Sequence, residues 1–445
     1  MDMGTGKSRT AIELAKIRAR KIDKVIWFCP VSLKDTVQHE IIKHTNCRDI
    51  YVFDDKTNER NVPRARWYVV GIESMSSSNR VVATANKLVT DRTMVICDES
   101  SYIKGHSAIR TNRITYISSR ARYRLALTGT PISQGVEDLF AQMRFLSPKI
   151  LGYRSFYSFA ANHLEYSDKY PGMVVRAHNL EYIAAKIQPY VYQVTKEECL
   201  DLPDKLYSYR VFYMTDEQRY WYEWVKETIL FEMSRYDICS YDQYFNSLAI
   251  FRLFSALQQI TCGFLNWGGK RYTFENDRPA MLASVLHSLP DGEKALIFCK
   301  YQHDIDVIRK VLTEEFGADA VASFDGRDNA KKRSTAVERF RNGARFLVVT
   351  QSTGGHGFNF QDQARYAIFY NNGFKYSERL QAEDRLHRIG QTDKVTYIDI
   401  YCPCGIEERI DAAMTRKGNA VDDFRDEVDK VKDKKASIEE LIKAL

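Results

Sequence analysis

The chain has 445 residues, long enough for about two to four domains rather than one. Hydrophobic residues make up 44%, which supplies sizeable cores and excludes wholesale disorder. Lys and Arg number 65 against 58 Asp and Glu, so the net charge of +7 permits nucleic acid as a partner without identifying it. No apolar run approaches the roughly 18 residues of a membrane span, so no membrane partner is expected. The nine cysteines are scattered and read as reduced thiols of an intracellular, cytoplasmic protein. Cys402 and Cys404 lie close together, but no second Cys/His pair completes a zinc site.

In chain order, the first signal is Gly4-Thr5-Gly6-Lys7-Ser8, followed by a helical pattern at 9–20. Short apolar runs at 25–29, 67–70, 94–97 and 125–127 have the length and β-branched content of strands buried on both faces. A further helix is predicted at 34–43, so residues 1–145 alternate strand and helix. Residues 146–277 are aromatic-rich and read as a mostly helical insertion, with Tyr220-Trp221-Tyr222-Glu223-Trp224 as packing between helices. Runs at 295–298, 320–324, 346–349, 367–370 and 395–400 predict a second parallel sheet within 278–410. The tail, 411–445, is charged with sparse apolar positions (Val421, Phe424, Val428, Val431) and reads as exposed helix. The fold class is therefore α/β, with two parallel sheets and a helical insertion between them.

Ligands of open α/β sheets bind at the carboxyl ends of strands. Glycines in Gly4 to Ser8 let backbone N–H groups close on phosphate oxygens, and Lys7 can reach the β- and γ-phosphates of ATP. Ser8 would place its hydroxyl on Mg²⁺. The plainer alternative is a helix start with a solvated lysine; Met1 stands where the full pattern has glycine. Asp98-Glu99 follows the run at 94–97. Asp98 would hold Mg²⁺ through water and Glu99 would deprotonate the attacking water, unless the pair is simply an acidic loop. Leu127-Thr128-Gly129-Thr130-Pro131 offers two hydroxyls beside a tight turn, or is only a turn. In the string Gln381-Ala382-Glu383-Asp384-Arg385-Leu386-His387-Arg388-Ile389-Gly390-Gln391, Arg385 and Arg388 would share a helical face. Two guanidiniums on one face suit a developing phosphoryl charge.

That string resembles motif VI of the Swi/Snf family of DNA-dependent ATPases, within helicase superfamily two. Asp2 to Ser8 resembles motif I, Cys29-Pro30-Val31-Ser32-Leu33 motif Ia, and Asp98-Glu99-Ser100-Ser101, running on to Ile103-Lys104, motif II. Leu127 to Pro131 resembles motif III, Leu296-Ile297-Phe298 motif IV, and Gly354-Gly355-His356-Gly357-Phe358-Asn359 motif V. Thr195-Lys196-Glu197-Glu198, leading to Leu202-Pro203, matches a landmark between the lobes.

The resemblance implies two RecA-like lobes with ATP and Mg²⁺ in the cleft between them. Gly4, Thr5, Gly6, Lys7, Ser8 and Gly357 are then expected to bind ATP. Asp98, Glu99, Gln381, Arg385 and Arg388 would serve catalysis, and Ser8 and Asp98 would hold Mg²⁺. Ser101, Thr128 and Thr130 would couple hydrolysis to movement. Pro30, Ser32, Lys104, Lys300, Arg327 and Lys332 would contact DNA. The implied activity is ATP-driven movement along DNA, double-stranded and without sequence specificity. The alternatives are a strand-separating helicase and a catalytically weak DNA-binding scaffold. The compact insertion is similar to bacterial or phage members, placing the protein at the nucleoid or in a host cytoplasm.

Ser101 stands where the family carries His, which puts coupling strength in question, and Tyr192 and Gln193 replace arginines. Between Ser100 and Val136 there is no acidic residue, yet Lys104, Arg110, Arg113, Arg120, Arg122 and Arg124 occur. Arg327, Lys331, Lys332 and Arg333 form a second basic group. Such stretches line a phosphate track or form an ordinary solvated surface; the resemblance favours the track. The strand expected before Gly4 and the segment that recognises adenine are absent, predicting an unfilled central position in the sheet. The expectation is that the reading frame starts upstream or that the chain is a fragment.

Overall fold

A computed structural model describes residues 1–2, 4–129, 131–132, 135–166, 174–234, 247–354, 358–420, 423, 427 and 435–445. The chain divides into two units, Met1–Asp201 and Leu202–Leu445.

In the first unit β1 (Lys24–Cys29), β2 (Ile50–Val52), β3 (Trp67–Gly71), β4 (Thr93–Cys97) and β5 (Tyr123–Ala126) form a parallel sheet ordered β2-β3-β1-β4-β5. Side-chain alternation sorts each strand between two layers. Val25, Trp27 and Cys29 pack with Ala11, Ile12 and Ala15 of helix Lys7–Ile17 and with Val37 and Ile41 of helix Lys34–Thr45. Ile26 and Phe28 pack on the other side, with Val81 and Ala85 of helix Asn79–Leu88 and Ile114 and Ile117 of helix Ile109–Ser118. Each fully buried Val, Ile or Phe among them contributes about 1.5–3 kcal/mol and each alanine less, so these faces hold the helices to the sheet.

The expected vacancy in the middle of this sheet does not occur. β3, β1 and β4 each have a parallel neighbour on both sides, and β2 and β5 are the edges. All four residues of β5 are half-buried, whereas β4 is buried throughout.

Beyond β5, Leu139, Phe140 and Met143 of helix Glu137–Leu146 gather Ile150, Leu151, Phe159, Leu164 and Ile183 into a separate cluster. A short antiparallel hairpin, β6 (Leu164–Tyr166) and β7 (Val174–Ala177), belongs to this part.

In the second unit β8 (Lys205–Val211) is followed by an antiparallel hairpin, β9 (Phe264–Trp267) and β10 (Lys270–Thr273). The strands β11 (Ala295–Cys299), β12 (Val321–Phe324), β13 (Phe346–Thr350), β14 (Tyr366–Phe369) and β15 (Val395–Tyr401) then join β8 in a parallel sheet ordered β12-β13-β11-β14-β15-β8. Ile297, Val348 and Ile368 face helices Arg278–His287 and Gln302–Phe316, while Leu296, Phe298, Leu347 and Phe369 face helix Ala330–Asn342 and Ala382.

The stretch 146–277 is therefore not one inserted body. Its first part belongs to the first unit, and its later part supplies β8 and the helices Asp216–Ser234 and Ser247–Thr261 of the second. The aromatic cluster is packing: Tyr222 is buried, and Trp221 meets Trp224 edge-on with centroids 5.3 Å apart. The far tail is not exposed helix either. Ile442 and Leu445 are buried with Tyr222, Leu253 and Ile406, and the Tyr222 hydroxyl donates to the Leu445 carbonyl at 2.5 Å. The positions Val421, Phe424, Val428 and Val431 lie outside the described residues.

Candidate active site

The helix Lys7–Ile17 begins at Gly6, whose φ of 89° is left-handed and costs a glycine little. No side chain caps this helix and no acidic residue lies in its first turn, so its leading amides face a would-be anion without competition. Thr5 Oγ1 donates to the Asp2 carbonyl at 2.8 Å, and Lys7 Nζ donates to the same carbonyl at 3.1 Å and to that of Met1 at 3.3 Å. Asp2 in turn anchors the loop: its N–H donates to Val194 O at 2.9 Å, and its carboxylate accepts from Lys196 N–H at 3.1 Å. Val194 and Lys196 thus hold the start of the glycine-rich loop. Gly4 and Ser8 lie in the same loop and first turn, both half-buried.

Asp98 and Glu99 follow β4 directly. Asp98 is buried; its carboxylate accepts from the Glu99 N–H at 3.0 Å and from the Trp27 indole at 3.4 Å. Burial pushes its carboxyl up to about 7 and the Glu99 charge adds to this, while the Glu99 amide, Lys7 and Trp27 oppose it. Lys7 thus acts electrostatically on Asp98. Glu99 itself adopts a left-handed backbone with φ 46°, unusual for a non-glycine residue, which turns its side chain out of the strand line.

A consequence can be measured. Folded Asp98 keeps a proton that the unfolded chain loses near its ordinary value of about 4, so the folded state binds more protons up to about pH 7. Its contribution to stability is therefore lost as pH rises through that window. In metal-free buffer, urea unfolding at pH 5 and pH 8 should show this fall, and Asp98→Asn should shrink it. An identical fall in Asp98→Asn would contradict the assignment.

In the second unit, the helix Tyr376–Glu383 stops at Glu383, and Asp384 to Gly390 runs in turns. Arg385 and Arg388 therefore do not share a helical face. They converge otherwise: Arg385 Nη1 donates to the Phe358 carbonyl at 3.1 Å, and Arg388 Nη1 donates to the Asn359 side chain. Most of the remaining string has structural work. Ala382 and Leu386 are core; Gln391 ties Gln361, Ala364 and Leu386 through their carbonyls. Glu383 is gripped by Arg379 at 2.8 Å, Lys205 at 2.7 Å and the Tyr207 hydroxyl at 2.9 Å. Although burial opposes it, Arg379 and Lys205 hold the Glu383 carboxyl below the usual range. Gln381, Arg385 and Arg388 are half-buried.

Comparison with known proteins decides the family. Residues 1–263 match the SNF2-related domain, and residues 277–390 match the helicase conserved C-terminal domain. The chain belongs to the SNF2 family of helicase-like ATPases. It is 27% identical over 331 residues to an uncharacterised ATP-dependent helicase, MG018, of Mycoplasma genitalium, which covers 74% of this chain and 30% of that protein. The TATA-binding protein-associated factor mot1 of Aspergillus fumigatus is 23% identical over 475 residues, covering 92% of this chain and 24% of that protein. The chain thus spans about a third or less of these curated relatives. Among solved structures, the Sulfolobus solfataricus SWI2/SNF2 ATPase core in complex with dsDNA aligns at 22% identity and a TM-score of 0.41, covering 99% of this chain and 89% of that one.

As an SNF2 family member the chain has several expected residues in other settings than the sequence suggested. Lys300 turns inward: its ammonium donates to Gln258 Oε1 at 2.8 Å and sits 2.9 Å from the Phe374 ring centroid. Arg327 is saturated by Asp306 and Asp325, so its charge is already answered. Lys104 pairs with Asp138 at 3.3 Å, and Pro30 is buried. In all four, charge or surface is engaged within the fold. Ser32 is exposed, and Lys332 is exposed with only a loose 4.0 Å pairing to Asp328. Ser101 and Thr128 are half-buried beside β4 and β5, while Thr130 and Gly357 lie outside the described residues. No helix among the described residues is long and apolar enough to cross a membrane.

One residue that the sequence reading passed over joins the two loops. Gln142, buried on helix Glu137–Leu146, accepts from Ser100 Oγ at 2.7 Å and donates to the carbonyls of Pro131 at 2.7 Å and Asp138 at 2.9 Å. An amide amid Leu139, Phe140 and Met143 was the available signal. Gln142→Leu strands a buried hydroxyl and a carbonyl, and should cost about 1–3 kcal/mol in urea unfolding. A cost indistinguishable from zero would show that the three bonds do not hold the loops.

Proposed function

We propose that this chain hydrolyses ATP in a DNA-dependent manner and uses the energy to move along double-stranded DNA inside the cell, without reading its sequence. The observation that carries the reading is the pairing of an uncapped, glycine-entered helix start and Lys7 with Asp98-Glu99 at the neighbouring strand end. The residues fit the nucleotide: leading amides of the helix and Lys7 would bind its phosphates. Mg²⁺, held by Ser8 and Asp98, would neutralise charge on the β- and γ-phosphates. Glu99 takes the proton of the attacking water as its oxygen bonds to the γ-phosphorus, and ADP leaves with the former bridging oxygen. Arg385 and Arg388, from the second unit, stabilise the charge that develops.

The glycine-rich loop belongs to the first unit and the two arginines to the second, and hydrolysis that needs both would be coupled to stepwise movement. Exposed Ser32 and Lys332 would hold backbone phosphates, a contact blind to base identity. The test is a duplex carrying a third, triplex-forming strand. ATP-dependent release of the third strand with the duplex intact is expected. Separation of the duplex itself would make the protein a strand-separating helicase, and binding with neither event would make it a scaffold.

A further inference from the structure

The basic stretch after Ser100 is largely consumed by the fold. Lys104 pairs with Asp138, Arg113 donates to Asn79 and the Met75 carbonyl, and Arg120 donates to Asn86. Arg124 differs. It is half-buried on the edge strand β5, and among the described residues its guanidinium has neither a hydrogen bond nor an ion pair. It lines a cavity of about 290 Å³ with Arg144, Thr111, Asn112, Thr115 and Ser119. Among the described residues no carboxylate lines that cavity. Thr111 is 3% exposed, and its hydroxyl has no partner.

A partly desolvated cation without a counter-ion is costly, and burial already pulls the Arg124 guanidinium below its usual value. Two guanidiniums and the hydroxyls of Thr111 and Thr115 supply donors to the cavity wall, while Ser119 and Asn112 already donate to the Tyr116 and Ser107 carbonyls, and no anion among the described lining residues answers the charge. What such a wall lacks is an acceptor carrying negative charge. A phosphate group supplies several acceptor oxygens and charge to match two arginines, where a carboxylate offers only two oxygens. The cavity is also larger than a bare ion needs and lies near the lower bound of small-molecule sites, about 300 Å³.

We propose that this cavity is a second anion site, separate from the phosphate loop, that takes a sugar-borne phosphate. The phosphate is either the monoester of a free sugar phosphate or the diester of a nucleic-acid strand. Two binding arms distinguish these sources: calorimetric titration with ribose 5-phosphate and with oligothymidylate. Wild type, Arg124→Met, Arg144→Met and Lys7→Ala are compared in each. Wild type should bind in at least one arm, and both cavity variants should lose about tenfold or more there. Lys7→Ala should keep that binding. Without ligand, Arg124→Met should melt no lower than wild type, because an unanswered charge has been removed. Failure of wild type to bind in both arms, or equal affinity across the cavity variants, overturns the proposal. So does loss confined to Lys7→Ala, which assigns the phosphate to the loop, or a marked drop in the Arg124→Met melting temperature, which makes the guanidinium structural.

Discussion

Glu99→Gln is expected to lower ATP turnover by about 10²–10⁴-fold while leaving nucleotide affinity nearly unchanged. The substitution keeps size and hydrogen-bonding reach and removes only basicity. Position matters here: Glu99 leaves the end of β4 in a left-handed conformation, beside an Asp98 whose carboxyl is raised to about 7. Two adjacent carboxylates in different environments can divide labour, one holding the metal and one accepting a proton. Removing the Glu99 charge should also let the Asp98 carboxyl fall, since that charge is part of what raises it. Lys7→Ala should behave differently, weakening nucleotide binding itself. Undiminished turnover in Glu99→Gln would remove it from the mechanism.

The second large effect is expected at the arginines. Arg385→Ala or Arg388→Ala should reduce turnover by about 10³–10⁵-fold, the range of an arginine finger, with DNA affinity nearly intact. Both side chains converge on residues 358–359, while the surrounding string is held by Glu383 and Gln391. Loss of either should therefore leave the second unit folded. Lysine should rescue poorly, since a point charge does not reproduce a planar fork. Retained hydrolysis with lost DNA binding would reassign them as track contacts.

Much of the fold could be read from the sequence because its central strands are buried on both faces. β1, β3, β4, β11 and β13 are unbroken apolar runs, and their helices show apolar faces to them. β8 was missed because an edge strand needs no such run: Lys205, Tyr207 and Tyr209 alternate with Leu206, Ser208 and Arg210, and most of the strand is exposed. The catalytic candidates were visible because glycine, lysine and paired carboxylates at strand ends carry meaning through order alone. Their supports were not. Gln142 reaches Ser100 across 42 positions, and Lys196 reaches Asp2 across 194, so neither contact leaves a local signature. Basic residues were the least legible: Lys300 and Arg327 looked like Lys332 in sequence, and only the fold supplies Gln258, Asp306 and Asp325 to two of them.

On the function proposed above, this SNF2 family chain couples ATP hydrolysis to duplex DNA. The direct measurement is steady-state ATP hydrolysis by the chain with no nucleic acid, with single-stranded DNA and with double-stranded DNA of unrelated sequences. Low basal turnover, strongly stimulated by any duplex and lost in Glu99→Gln, is the predicted result. Turnover that ignores duplex DNA, or none under any condition, would contradict it.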